Sequence, residues 1–154
     1  MQLMLNKYFI SNHSSEYSNF MLYYFWKNYE NESINLILSS YANKAKHLNI
    51  TLTVDASFLG TINFSETELC SLLSNALENA LNACKKIPEK EKRLINLRIY
   101  SKNNKMCLDI RNHYETEPLF SDGIPISKED GHGFGTKSMV HIVEKHGGIC
   151  QFIL

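Results

Sequence analysis

One stretch, residues 65–86, SETELCSLLSNALENALNACKK, does most to limit what this chain can fold into. Ser65 suits a helix N-cap, and Glu68 three residues later completes a capping box. Leu69, Leu72, Leu73, Ala76, Leu77, Ala80, Leu81 and Cys84 follow at helical spacing and define an apolar side that must be buried. The opposite side is unusual. At about 100° per residue, Asn75, Glu78, Asn79 and Asn82 fall in one stripe. Solvent faces favour Lys, Glu and Gln, which promote helix, whereas Asn does not. Two readings are open: a solvated face with poor helix formers, or amide oxygens and a carboxylate arranged for a hard cation such as Mg²⁺ carrying phosphates.

The 154 residues suffice for one domain with a real core, and 44% hydrophobic with 21% charged residues is globular composition. Lys plus Arg equals Asp plus Glu at 16 each, so no global field draws the chain to nucleic acid or an acidic membrane. Cys70, Cys84, Cys107 and Cys150 are scattered, without C-x-x-C, and each falls inside a predicted element. They read as small buried hydrophobes of a reducing compartment, with no disulfide. The six histidines form no ligand pattern for zinc. No apolar run approaches a membrane span and no signal-peptide layout is present, so any membrane link is expected from sequence outside this chain.

Residues 1–28 read as a linker segment of unclear structure, and residues 29–154 as the folded domain. Residues 21–26, MLYYFW, fit a buried strand or a helical turn equally. His13 lies in the polar SNHSSEYS, which lacks the helical apolar pattern and acidic neighbour expected around a phospho-accepting histidine. Residues 31–49 predict a helix through Ile34, Ile37, Leu38, Tyr41, Ala42, Ala45 and Leu48. Residues 50–55, ITLTVD, predict a strand, and a loop with Gly60 leads into the Asn-bearing helix. Pro88 and the charged run after it end that helix. A hairpin follows, with Ile95, Leu97 and Ile99 facing Met106, Leu108 and Ile110 across a turn at Lys102, Asn103 and Asn104. Residues 112–135 read as one long loop, functional or mobile. Residues 136–146 predict a helix with Met139, Val140, Ile142 and Val143 inward, capped by Gly147 and Gly148. A strand begins at Ile149 and the domain reads as truncated in its C-terminal strands. The expected fold is a two-layer α/β (α+β) sandwich, helices on one face of a mixed, mostly antiparallel sheet.

A second constellation, GHGFGTKS at residues 131–138, joins the long loop to that last helix. Gly131, Gly133 and Gly135 let backbone N–H groups approach an anion, and the helix N-terminus behind them adds partial positive charge. Lys128 and Lys137 can add point charges for phosphate oxygens. Alone, G-x-G-x-G also fits a hinge before a helix; it does not follow a strand directly, and no Walker motif is present.

SNALENALNAC is similar to the N-box, N-x-x-x-N, and GHGFGTKSMVHIVEKHGG to the glycine box, of the GHKL-type ATP-binding domain shared by gyrase, heat-shock chaperones, histidine kinases and MutL. YENESINLILSSYANKAKHLNI, IRN at residues 110–112 and ISK at 126–128 most resemble the sensor kinases of peptide quorum sensing in Gram-positive bacteria. The resemblance covers residues 29–152 and implies the Bergerat-type fold, with ATP and Mg²⁺ as cofactors. It implies that Asn79 holds Mg²⁺ and that Asn75 lies near the phosphates where gyrase-type relatives carry a water-activating glutamate. That replacement implies transfer to a protein rather than hydrolysis. Asn75 and Glu78 are the candidate catalytic residues. Asn75, Asn79, Asn82, Asn112, Lys128, Gly131, Gly133, Gly135, Thr136 and Lys137 are the candidate nucleotide contacts. Asn112 stands where relatives have the Asp of D-x-G-x-G, but NHYET carries no glycine. An Asn carbonyl can still accept from the adenine amino group. Thr136 replaces the usual Leu, and residues 114–130 match the mobile ATP lid.

The resemblance therefore implies the catalytic domain of a two-component sensor histidine kinase. Its expected partners are ATP, a histidine-bearing dimerisation domain of the same protein and a downstream response regulator. The domain itself would be cytoplasmic, the full-length protein membrane-bound, and homodimerisation a property of the full length. The alternative is a degenerate nucleotide-binding or protein-interaction module, favoured by the altered adenine box. A serine kinase of the anti-sigma-factor type shares the fold, but the pattern before the first strand argues against it.

Overall fold

Helix α1 (Glu32–His47) forms where Ile34, Leu38, Tyr41 and Ala45 recur at helical spacing, and all four are buried. It ends in a Schellman turn: Asn49 takes a positive φ of 54°, its N–H bonds Lys46 O at 3.1 Å, and Ile50 N–H bonds Ala45 O at 2.9 Å. Asn tolerates this left-handed position better than most residues other than glycine. Helix α2 (Glu66–Cys84) starts at the expected capping box, Ser65 with Glu68, and buries the eight apolar positions listed by its periodicity, Leu69 through Cys84. Helix α3 (Phe134–Lys145) begins two residues earlier than its apolar pattern suggests and buries Thr136, Met139, Ile142 and Val143. It too closes in a Schellman turn, with Gly147 at φ 67° and Gly148 N–H bonding Val143 O at 2.9 Å.

The computed structural model describes residues 2–4, 32–56, 64–103, 105–126 and 134–154. His13, residues 21–26, Gly60, Asn104, Lys128, Gly131 and Gly133 lie outside them. The strands are β1 (Gln2–Met4), β2 (Thr51–Ala56), β3 (Leu94–Lys102), β4 (Lys105–Asn112), β5 (Leu119–Ser121), β6 (Ile124–Ile126) and β7 (Ile149–Cys150). The main sheet is mixed, in the order β2-β3-β4-β1-β7. Strand β3 runs parallel to β2 and antiparallel to β4, while β1 runs parallel to both β4 and β7, so among the described strands this sheet is mixed as expected but mostly parallel rather than mostly antiparallel.

The helices cover one sheet face, giving the expected two-layer α+β sandwich. Ile95, Leu97 and Ile99 of β3 and Met106, Leu108 and Ile110 of β4 point into a core shared with all three helices. Most residues that periodicity assigns to the core, from Ile34 to Val143, are buried, whereas Ile37, Ala42, Leu48 and Val140 are only half-buried. Arg93 ties two chain reversals together, donating to Leu48 O and Ile87 O at 2.8 Å each. On the other face β3 is open at Asn96 and Arg98, but β4 also buries Cys107 and Asp109. Asp109 is 4% exposed and is neutralised by Arg111 two residues along the same face, at 2.9 Å.

The long loop contains structure that its composition hides. Strands β5 and β6 pair antiparallel around Asp122 and Gly123, both at positive φ, 51° and 75°. Positive φ at both central residues is the geometry of a two-residue type I′ turn, for which Asp-Gly is a preferred sequence. Gly123→Val should cost this hairpin about 1–2 kcal/mol of local stability, since a side chain strains the left-handed region. Hydrogen exchange across residues 119–126 should rise while the rest of the domain is unchanged.

Candidate functional site

Helix α2 is the middle helix, touched by α1 on one flank and α3 on the other. No residue from Glu68 to Cys84 is fully exposed, and Asn75, Glu78, Asn79 and Asn82 are all half-buried. The amide stripe is therefore not an open solvent face, where helix-poor Asn would simply be tolerated.

What lies against the stripe gives it meaning. A Cβ added to Gly135 would sit 3.0 Å from Asn75 Oδ1 and 3.4 Å from its Cγ. The first turn of α3 thus brings its backbone closer to the Asn75 amide than a residue with a side chain readily tolerates. Asn75 is held by its own helix, its Nδ2 donating to Ser71 Oγ at 3.3 Å one turn earlier. The opening N–H groups of α3 lack intrahelical partners and carry the positive end of the helix dipole. The two sequence constellations, far apart in the chain, meet at this point.

On its apolar side the C-terminal end of α2 meets the strands. Cys84 Sγ donates to Leu94 O at 3.4 Å and to His113 O at 3.3 Å, and burial pushes its thiol up to about 11. It is a structural donor, not a nucleophile. Asn112 ends β4 beside this contact and donates its Nδ2 to His113 O at 2.9 Å, which leaves its Oδ1 as an acceptor. From Asn75 to Cys84 the helix rises about 14 Å. The half-buried Asn79 lies one turn beyond Asn75 along the stripe.

The remaining candidates divide. Glu78 turns to α1, where Lys44 donates to its Oε2 at 3.2 Å. Glu78 and Asn82 line a cavity of about 350 Å³ between α1 and α2 with Lys44, His47 and Lys85. Thr136 is buried on α3, and Lys137 next to it is exposed. Among the described residues no three His, Cys, Asp or Glu side chains gather as a metal site. The donor set fits a cation that takes one amide oxygen from the protein and the rest of its shell from phosphates and water.

A family model described as the GHKL domain matches residues 64–154, more than half of the chain. The chain belongs to the GHKL domain family. This GHKL domain is an ATP-binding module, and the matched span holds α2, the β5–β6 segment and α3 together. No curated protein matches the chain.

Two features of the GHKL domain escape sequence reasoning. Ser71, which orients Asn75, is signalled only by its i, i+4 spacing. Glu68 does more than cap α2: Lys145 Nζ reaches its Oε1 at 2.6 Å and His146 Nε2 its Oε2 at 3.1 Å. Lys145, the Ser65 backbone and hydroxyl, and His146 hold the Glu68 carboxyl down to about 2. A depressed carboxylate contributes stability that is complete above its unfolded pKa and is lost as pH falls through its folded one. Thermal melts should accordingly show Glu68→Gln and wild type converging as pH drops from the ordinary carboxylate range towards about 2, with wild type higher above it.

Proposed function

We propose that this GHKL domain is the catalytic ATP-binding domain of a sensor histidine kinase of the peptide quorum-sensing type. It would pass the ATP γ-phosphoryl to a histidine on a separate helical dimerisation domain. The close approach of Gly135 to Asn75 supports the reading, because the α3 start, whose free N–H groups would take phosphate, lies against the first amide of the N-x-x-x-N stripe. Asn79, in the middle of the stripe, would hold Mg²⁺, which supplies charge neutralisation between phosphate oxygens. Asn75 offers a neutral amide with no basicity, so it cannot activate water as a carboxylate would; this supports transfer over hydrolysis. The helix start of α3, with Lys137 and Lys128, would take phosphate charge, and Asn112 Oδ1 would accept from the adenine amino group. Glu78 is paired with Lys44, and its part would be to orient the α1 flank rather than to act as a base.

In this reading the domain works at the cytoplasmic side of a membrane-bound, dimeric full-length protein, and a response regulator takes the phosphoryl group onward. Alone it binds nucleotide and turns over little. Radiolabelled ATP–Mg²⁺ supplied with the cognate dimerisation hairpin in trans should label a histidine on that hairpin. Absence of label despite tight ATP binding would favour the second reading, a nucleotide-binding interaction module without kinase activity. The observation behind that second reading is the NHYET sequence that begins at the last residue of β4, which carries no glycine where D-x-G-x-G is expected.

A further inference from the structure

Helices α2 and α3 lie antiparallel and touch at two defined places: Gly135 on Asn75 near one end of α3, Lys145 and His146 on Glu68 at the other. We propose that Glu68 is a positioning residue that sets where α3 stands along α2, and hence where the α3 start meets Asn75 and Asn79. The proposal rests on the ATP reading above and assigns it a remote determinant.

Capping α2 occupies only part of the Glu68 carboxylate. Both Ser65 groups, N at 3.1 Å and Oγ at 2.9 Å, bond Oε2. Oε1 is left for Lys145, and Oε2 also takes His146. The His146 ring packs on Phe64 with centroids 4.1 Å apart, so the α3 end is held by charge and by ring contact. From Gly135 to Lys145 α3 rises about 15 Å, so a slip at the Glu68 end is carried rigidly to the other. The far contact accepts only glycine readily, because a Cβ added at Gly135 would sit 3.0 Å from Asn75 Oδ1. A slip by one residue would set exposed Phe134 or buried Thr136 against that amide instead.

The test uses the whole chain and two readouts, hydrogen exchange over residues 134–138 and calorimetric affinity for ATP–Mg²⁺. Lys145→Met with His146→Phe keeps the α2 cap and removes the clamp. It should speed exchange at 134–138 and weaken ATP about tenfold. Ser65→Ala removes the cap and keeps the clamp; it should lower the melting temperature while leaving both readouts near wild type. Glu68→Gln, close in size to the native side chain, should shift both readouts in the same direction as the double variant and covers the case in which that variant does not fold. Unchanged exchange at 134–138 in the clamp variants, or an equal loss of affinity in Ser65→Ala, would overturn the proposal. If wild type ignores ATP, the nucleotide reading fails, and exchange alone still decides whether Glu68 positions α3.

Discussion

Asn79→Ala should leave the domain folded and weaken Mg²⁺-dependent ATP binding at least about tenfold, roughly 1.4 kcal/mol. The substitution removes an amide oxygen from the middle of the stripe, one turn from the Asn75 that meets Gly135. It also replaces a poor helix former with the best one, which should steady α2 by a few tenths of a kcal/mol. Binding and stability therefore move in opposite directions if Asn79 is a ligand. If it only faces solvent, stability rises and affinity does not change. Calorimetric titration of ATP with and without Mg²⁺ on both proteins separates the cases. Identical isotherms would remove Asn79 from the mechanism.

Leu97→Ala should be the most damaging conservative change to the fold. Leu97 is fully buried at the centre of β3, opposite Ile110 on β4 and Val54 on β2. Both neighbours are rigid strand residues, so the void left behind cannot collapse easily. Large-to-small changes at such sites cost about 2–5 kcal/mol. Domains of this size hold only about 5–15 kcal/mol in total, so a large share would go. Urea titration should show the midpoint falling with the slope preserved.

The core was legible because it follows period: every Leu of α2 and the alternation of β3 declare their inward sides without help from tertiary context. Helix ends were legible where capping chemistry is explicit, at Ser65 with Glu68 and at Gly147. The β5–β6 hairpin is hidden because Pro118, Gly123 and Pro125 read as loop punctuation, although Asp122-Gly123 between LFS and IPI is a hairpin signal. The buried Asp109 could not be foreseen, since alternation assigns it to the wet face and only its pairing with Arg111 makes burial tolerable. Of the site, the Asn stripe was visible, but its division was not. Asn75 meets α3, whereas Glu78 and Asn82 turn to the α1 flank. That split depends on which helix lies on each side of α2, information that no local pattern carries.

The clamp between Glu68 and Lys145 joins residues 77 positions apart. Closing so long a loop costs chain entropy before the contact returns anything, so in folding such pairs form after local ones. The cap of α2 and the β3–β4 hairpin need only neighbours in sequence and can form first. If Glu68 sets the α3 position, nucleotide competence is expected late in folding and early to be lost on local unfolding. ATP, binding only the finished arrangement, would hold it shut by mass action, worth about 2.7 kcal/mol at a hundredfold excess over Kd. Cellular ATP would in that case act on this domain as a ligand that completes its folding as well as a phosphoryl donor.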